Sequence, residues 1–597
     1  MKIMACILAL AGMAVCYTAK ATPQGELFDS GWKFQLDAPQ EASEFGYDDS
    51  GWRDVDLPHD WSIEAVPDKD APAGNAGGYY PTGLGWYRKT FTYPLSPNKK
   101  FLYFEGVYMN SEVYVNGQLA GGHPYGFTSF RVDITPYLKE GANTIAVKVD
   151  NSAQPNCRWY SGSGIYRHVW LMEEPLIHFE HQGTFVSTIE ASPDRAVVRV
   201  QSKLINEGIA TYTGNVAIVL RLEGETVARI QVPVTSRPDQ TIDICEDITI
   251  DAPRLWSPES PALYEASLEG GIATAETHFG IRTIRWNSSE GFILNGKSIL
   301  LNGSCIHSDN GILGAAAFDA AEYRKARLLK DAGFNAVRTS HNPPAPAFLD
   351  ACDELGLLVI DESFDGWREQ KNPNDYSIFF DEWYKEDVQS MVRRDRNHPS
   401  VIMWSTGNEV IERKSIGVIT TARRLSDAIR EEDTTRPITS ALASWDRDWE
   451  IYDPLVDVFE IAGYNYLIQH AGRDHLRDPR RVIAQTESYP NDAFRNWAYC
   501  QDNDYIIGDF VWTGLDYLGE SGIGKYYYVG DPRNSFHLAD QYPYHGAYCG
   551  DIDLTGWRKP ISHYREMLWN GKEDYLYLCV REPDGYHGQI KTTGWAV

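Results

Sequence analysis

From about residue 286 the chain repeats one rhythm, a short apolar run and then a helical stretch, eight times within about 230 residues. The runs are Ile299-Leu300-Leu301, Asn335-Ala336-Val337-Arg338, Leu357-Leu358-Val359-Ile360, Val401 to Trp404, Ile438 to Leu442, Val456 to Ile461, Val482 to Ala484 and Ile506 to Val511. Between them lie helix candidates such as Ala320 to Ala332, Ala345 to Leu355 and Phe380 to Arg394; in the second, Phe348, Leu349, Cys352 and Leu355 share one face. Strands this apolar are buried on both sides, and their alternation with helices implies a parallel sheet. Eight such units predict a closed (β/α)8 barrel, in which every strand delivers its C-terminal end to one mouth.

Polar or titratable residues follow seven of the eight runs: His307, His341, Asp361-Glu362-Ser363-Phe364-Asp365, Asn408-Glu409, Tyr464-Asn465-Tyr466, Glu487 and Trp512. A single histidine or glutamate ending a strand is most simply a solvated or structural residue. Their convergence on one predicted face makes chance placement the weaker account. Two strand-end carboxylates, Glu409 and Glu487, are the minimum equipment for breaking a glycosidic bond, one as acid/base and one as nucleophile.

Upstream, residues of about 22–175 read as all-β. Phe101 to Phe104 and Ser111 to Val115 are short strands, Asn116-Gly117 is a hairpin turn, and Asn143 to Val149 alternates cleanly. A jelly roll or sandwich fits. Residues of about 176–285, with strands Val197 to Leu204 and Asn215 to Leu220, fit an immunoglobulin-like sandwich. The barrel takes 286–574. After about 575 the text turns β-like again, which reads either as the start of a further β domain cut at Val597 or as a segment packed on the barrel.

A net charge of −28 argues against nucleic acid or an anionic membrane surface as partner, and suits neutral substrates. Residues 1–21 read as an export signal, with Lys2, an apolar Ile3 to Val15 and the cleavage site Ala19-Lys20-Ala21. The apolar run is too short to span a bilayer, and no other segment looks transmembrane. Cys16 raises lipid anchoring as the lesser alternative, because Val15 is bulky for that processing site. After cleavage Cys157, Cys245, Cys305, Cys352, Cys500, Cys549 and Cys579 remain, with no C-x-x-C, so buried free thiols are expected. Neither Walker nor dinucleotide glycine loops occur.

The motifs Gly333-Phe334-Asn335-Ala336-Val337-Arg338-Thr339-Ser340-His341, Arg394-Asp395-Arg396-Asn397-His398-Pro399-Ser400-Val401-Ile402 and Gly407-Asn408-Glu409 carry a resemblance. Over about 22–575 the chain resembles glycoside hydrolase family two, the β-galactosidase and β-glucuronidase family, whose members carry a jelly roll, an immunoglobulin-like domain and a barrel in this order. The resemblance implies that Glu409 is the acid/base and Glu487 the nucleophile of a retaining double displacement, with carboxyls about 5 Å apart and pKa values pushed apart. It implies that Asn408 binds the sugar 2-hydroxyl, that Tyr464 orients the nucleophile (Tyr466 if the register slips), and that His307 and His341 bind substrate hydroxyls. Trp512 would floor the sugar. Asp60 and Arg158 of the first domain would reach the mouth, a domain-interface salt bridge being an equal reading for each.

Two departures shape the substrate. Some family members hold magnesium through a carboxylate and a histidine just after strand three; here Asp365-Gly366-Trp367-Arg368 lacks the histidine, so no metal or other cofactor is expected. The Asn-x-Lys motif of family β-glucuronidases is also missing: Ala547 to Leu554 is acidic and lacks lysine, which would repel a glucuronate. Asp516 and Glu520 are further candidates for sugar hydroxyls, helix capping and loop solvation being equal readings. The expected activity is exo-cleavage of terminal β-galactosides in the bacterial periplasm. A modified galactose or a β-glucuronide on the same fold is the alternative, and a non-catalytic carbohydrate-binding protein the remote one. A homo-oligomer is compatible with the sequence.

Overall fold

The computed structural model describes residues 25–271, 273–528, 541–571, 576, 590–591 and 593–596. Residues 1–21, read above as an export signal, and Cys16 lie outside these residues, as does most of the stretch after 575.

The first unit packs two antiparallel sheets. One has four strands, including Lys99–Phe104 and Val169–Glu174; the other has six, including Trp32–Leu36, Leu84–Tyr93, Gly141–Asp150 and Ser111–Val115. Alternating inward residues such as Val113, Val115, Ile145, Val147 and Val149 fill the space between them. Asn116 and Gly117 both take the left-handed conformation, φ 51° and 87°, as a two-residue hairpin requires. The second unit is a sandwich of two four-stranded sheets. Its long strand Arg195–Asn206 alternates exposed and buried residues, the mark of a sheet with one solvated face.

Eight parallel strands then close a barrel: β1 (Leu301–Ile306), β2 (Ala336–Thr339), β3 (Leu358–Glu362), β4 (Val401–Asn408), β5 (Ile438–Leu442), β6 (Ile461–Asn465), β7 (Val482–Ser488) and β8 (Ile506–Val511). β8 pairs back onto β1. The helices are α1 (Asp319–Asp331), α2 (Pro346–Leu355), α3 (Ser377–Asp395), α4 (Ile416–Arg430), α5 (Asp453–Val456), α6 (Ala471–Arg477), α7 (Ala493–Asp502) and α8 (Pro560–Asn570).

Two strands differ from expectation. β1 begins where the apolar run ends, and β6 follows the run Val456 to Ile461, whose start belongs to helix α5. In both, small residues hide the strand from an apolar count. A Cβ on Gly463 would lie 2.5 Å from the Ser440 carbonyl oxygen, so β5 and β6 can approach only with glycine there, and Gly303 faces the Phe510 ring in the same way.

Buried polar contacts dock the first two units on the barrel. Tyr125 donates to the Ser363 carbonyl (2.8 Å) and Arg167 to the Pro343 carbonyl (2.8 Å). From the second unit, the Val186 amide donates to Asn397 Oδ1 (2.9 Å), whose Nδ2 donates to the Thr184 carbonyl (2.8 Å).

Candidate active site

Arg338 organises the mouth. It is fully buried on β2, where an arginine persists only if its donors are met by charge. Nε and Nη2 grip Glu362 of β3 (2.9 and 2.7 Å), Nη1 donates to Glu487 Oε1 (3.0 Å), and Nη2 reaches Asn408 Oδ1 (3.0 Å). One guanidinium thus ties β2 to β3, β4 and β7.

Glu409 follows β4 directly, and its φ of 42° turns the chain sharply out of the strand. Left-handed backbone at a non-glycine residue costs about 1–3 kcal/mol. Here it is held by the Glu409 amide donating to the Ala441 carbonyl (2.8 Å). Asn465 Nδ2 bridges Asn408 and Glu409, donating to Glu409 Oε1 and Asn408 Oδ1, both at 3.1 Å. Burial and the nearby Glu487 carboxylate push the Glu409 pKa up to about 7, against the opposing pull of Lys371 and Arg158. Burial also raises Glu487, but Arg338 and the Tyr466 hydroxyl bond to its charged form and hold it back. Glu409 is therefore placed to keep a proton near neutrality, while Arg338 beside Glu487 favours the charged form of that carboxyl.

Around this pair, His341 donates through Nδ1–H to Glu362 Oε1 (2.7 Å), and its ring stacks on Trp512 at 5.2 Å. Burial and Arg338 keep His341 neutral. His307 is anchored through Nδ1 at the Ser340 carbonyl (2.8 Å) and stacks on Trp159 at 4.8 Å. Its Nε2 is buried with no protein partner, and burial lowers its pKa to about 3. Arg158 enters from the first unit, gripping Asp365 with two bonds (2.7 and 2.6 Å) and lying 3.5 Å from Glu520. Lys371 donates to Asp365 Oδ1 (2.8 Å) and to the Asn408 carbonyl (2.9 Å). Among the described residues no group of three or more His, Cys, Asp or Glu side chains is arranged to hold a metal ion.

Three expected site residues sit elsewhere. Tyr464 points to the outside of the barrel, where its hydroxyl donates to Asp474 of α6 (2.5 Å), because Asn465 takes the inward place in the strand alternation. Tyr466 is the tyrosine that bonds Glu487. Asp60 is buried at the junction with the barrel, accepting from Tyr160 (2.6 Å) and from the amides of Ser62, Ser163 and Ala315 (3.0, 2.9 and 2.8 Å). It makes no salt bridge there and tethers a loop. Asp516 pairs with Lys559 (2.7 Å) and accepts from the Gly550 amide (2.8 Å), which fastens the segment after β8 to the start of α8.

Residues 28–175 match the domain described as "Glycosyl hydrolases family 2, sugar binding domain", 178–282 match "Glycosyl hydrolases family 2", and 287–466 match "Glycosyl hydrolases family 2, TIM barrel domain". A "Beta-galactosidase BoGH2A" of Bacteroides ovatus is 34% identical over 92% of this chain and 72% of its own. The chain belongs to glycosyl hydrolase family 2. A putative beta-glucuronidase of Formosa agariphila is also 34% identical, over 94% of this chain and 57% of the relative. Among solved structures, a family 2 member from Bacteroides cellulosilyticus superimposes with a TM-score of 0.87 at 42% identity, covering 92% of this chain and 71% of that one. As a family 2 glycoside hydrolase the chain acts on carbohydrate.

Several residues that build the site were given no individual role in the sequence reading: Arg338, Glu362, Asp365 and Asn465, named there only within strand-end runs or motifs, and Lys371 and Trp159, not named at all. The signal for the first was present, since an arginine inside an apolar strand demands buried carboxylates. Nothing local marked Lys371 or Trp159, which reach the mouth from loops.

Proposed function

We propose that this enzyme removes terminal β-galactosyl groups from oligo- or polysaccharides by a retaining double displacement, after export to the periplasm. The contrast between Glu409, near pKa 7, and Glu487, bonded by Arg338, carries the mechanistic part. Protonated Glu409 would give its proton to the departing glycosidic oxygen while Glu487 attacks the anomeric carbon. Ionised Glu409 would then deprotonate the water that releases the covalent glycosyl-enzyme. Asn408 and the unpartnered Nε2 of His307 are the proposed ligands of sugar hydroxyls. Trp512 would border the sugar with the indole face not covered by His341.

The β-galactosidase relative supports a neutral sugar. So does the commitment of the nearby cations: Arg158 and Lys371 are bound by Asp365, and Arg338 by Glu362. A sugar carboxylate would have to displace a protein carboxylate from one of them. The Formosa relative favours β-glucuronides as the second reading.

Hydrolysis of aryl β-galactoside, β-glucuronide, β-glucoside and β-mannoside by the mature chain, with and without chelator, tests the reading. Turnover of the galactoside, unchanged by chelator, is expected. Preference for the glucuronide would transfer the assignment to the second reading, and no turnover on any would overturn both simple substrates.

A further inference from the structure

Segment 593–596 lies far along the chain from the two carboxylates yet packs beside one of them. Asn491, in the turn that follows β7, holds it through backbone alone: its Nδ2 donates to the Thr593 carbonyl (3.0 Å) and its amide to the Gly594 carbonyl (3.5 Å). A Cβ on Gly594 would lie 2.9 Å from the Tyr489 ring, so the backbone passes flush against that tyrosine. Ala596 is buried. Trp595 is thereby set edge-on to two tyrosines, at 5.0 Å from Tyr489 and 6.1 Å from Tyr466, which themselves lie 4.4 Å apart. Its Nε1 donates to the Tyr466 hydroxyl at 3.4 Å.

Tyr466 is held as firmly as Glu409. It has φ 64°, and its amide donates to the Glu487 carbonyl at 2.7 Å. Its hydroxyl favours the charged form of Glu487, so the indole N–H donates to the phenol oxygen and the phenol O–H is directed at the carboxylate that accepts it.

We propose that Trp595 is a positioning residue for the nucleophile, acting through Tyr466. The proposal rests on the reading of Glu487 as nucleophile. A donor bound to the oxygen of a hydroxyl polarises that hydroxyl, making it a stronger donor in turn. The indole also supplies the phenol's second partner, so the O–H is left with the carboxylate as its target. Trp595 acts at second hand, through the Tyr466 hydroxyl.

Other charges face Glu487 and set the background against which this contribution is read. Arg338 donates to it at 3.0 Å, neutral His341 lies 3.8 Å away, and Arg158 favours its charged form. The Glu409 carboxyl on the far side of the mouth, the un-ionised Cys305 thiol on β1 and the Tyr489 phenol complete the neighbours. Of these, Tyr489 meets Trp595 through its ring.

Trp595→Phe keeps an aromatic ring against Tyr489 and removes only the N–H. The acidic limb of kcat/KM, which reports the free nucleophile, is expected to move up by about 0.2–0.6 pH unit, the cooperative share of one charged hydrogen bond. Tyr466→Phe should move it further, and the double variant no further than Tyr466→Phe alone. An unmoved limb in Trp595→Phe, or shifts that add in the double variant, would overturn the proposal. The same shift read from the ¹³C-carboxyl titration of Glu487, assigned by its loss in Glu487→Gln, needs no turnover. It separates failure of the relay from failure of the proposed activity.

Discussion

Arg338 Nη1 sits 3.0 Å from Glu487 Oε1 while the same guanidinium holds Glu362 with three hydrogen bonds. The nucleophile candidate is thus bound to a cation whose own position is fixed by a second buried carboxylate. Replacing Arg338 by Met leaves Glu362 and Glu487 buried without their counter-ion. Breaking a buried pair in this way costs about 3–5 kcal/mol. We expect a clear fall in the melting temperature, and a loss of kcat/KM far beyond what the surviving folded fraction explains. Calorimetry and steady-state kinetics on the same sample separate the two.

Glu487→Gln should abolish turnover, because an amide neither attacks nor ionises. Glu409→Ala should spare aryl glycosides with good leaving groups and cripple those with poor ones, since acid assistance matters less as the leaving group improves. A plot of log kcat against leaving-group pKa checks this. Equal losses across the series would remove Glu409 from the acid/base role.

The parts of this site that were legible in the sequence are those written by chain periodicity. Glu409, Glu487, Asn408, His307, His341 and Trp512 all lie at or just past the C-terminal ends of barrel strands, and a count of apolar runs finds strand ends. β1 and β6 resisted that count because Gly303 and Gly463 trade apolar area for close approach. In β6 the shift carried Tyr464 to the outer face and left Tyr466 at the mouth. What comes from outside the barrel rhythm was harder to see. Arg158 was named only through family resemblance, and Asp60, named the same way, proved to be a buried acceptor of amides. Lys371 and Trp159 lie in irregular loops whose reach depends on how two domains dock.

The pH profile should fall on its basic side near pH 7. Glu409 works first as an acid, so the competent form is the protonated one, and activity is lost as pH rises through its pKa of about 7. Lys371 pulls that pKa down. Its removal in Lys371→Met must therefore move the basic limb of kcat/KM to higher pH, at some cost in rate because the Asn408 carbonyl loses its donor. A basic limb that stayed in place, or moved down, would show that Lys371 does not act on Glu409.

Asp60 separates a tether from a substrate ligand. Its two oxygens meet four donors, three of them backbone amides, and one of those belongs to Ala315 of the barrel. Asp60→Ala would leave these groups buried without an acceptor, at about 1–3 kcal/mol for each one that water cannot reach. The expected result is a lower melting temperature with the basic limb little changed, because the largest influences on Glu409 and Glu487 are burial, each other, Lys371, Arg158, Arg338 and their hydrogen-bond partners. KM should rise modestly as the loop bearing Tyr160, and with it Arg158, loosens. Asp60→Asn, which keeps an acceptor oxygen and the shape, should recover most of the stability. A variant that kept the full melting temperature but lost sugar binding would instead make Asp60 a direct ligand of the substrate.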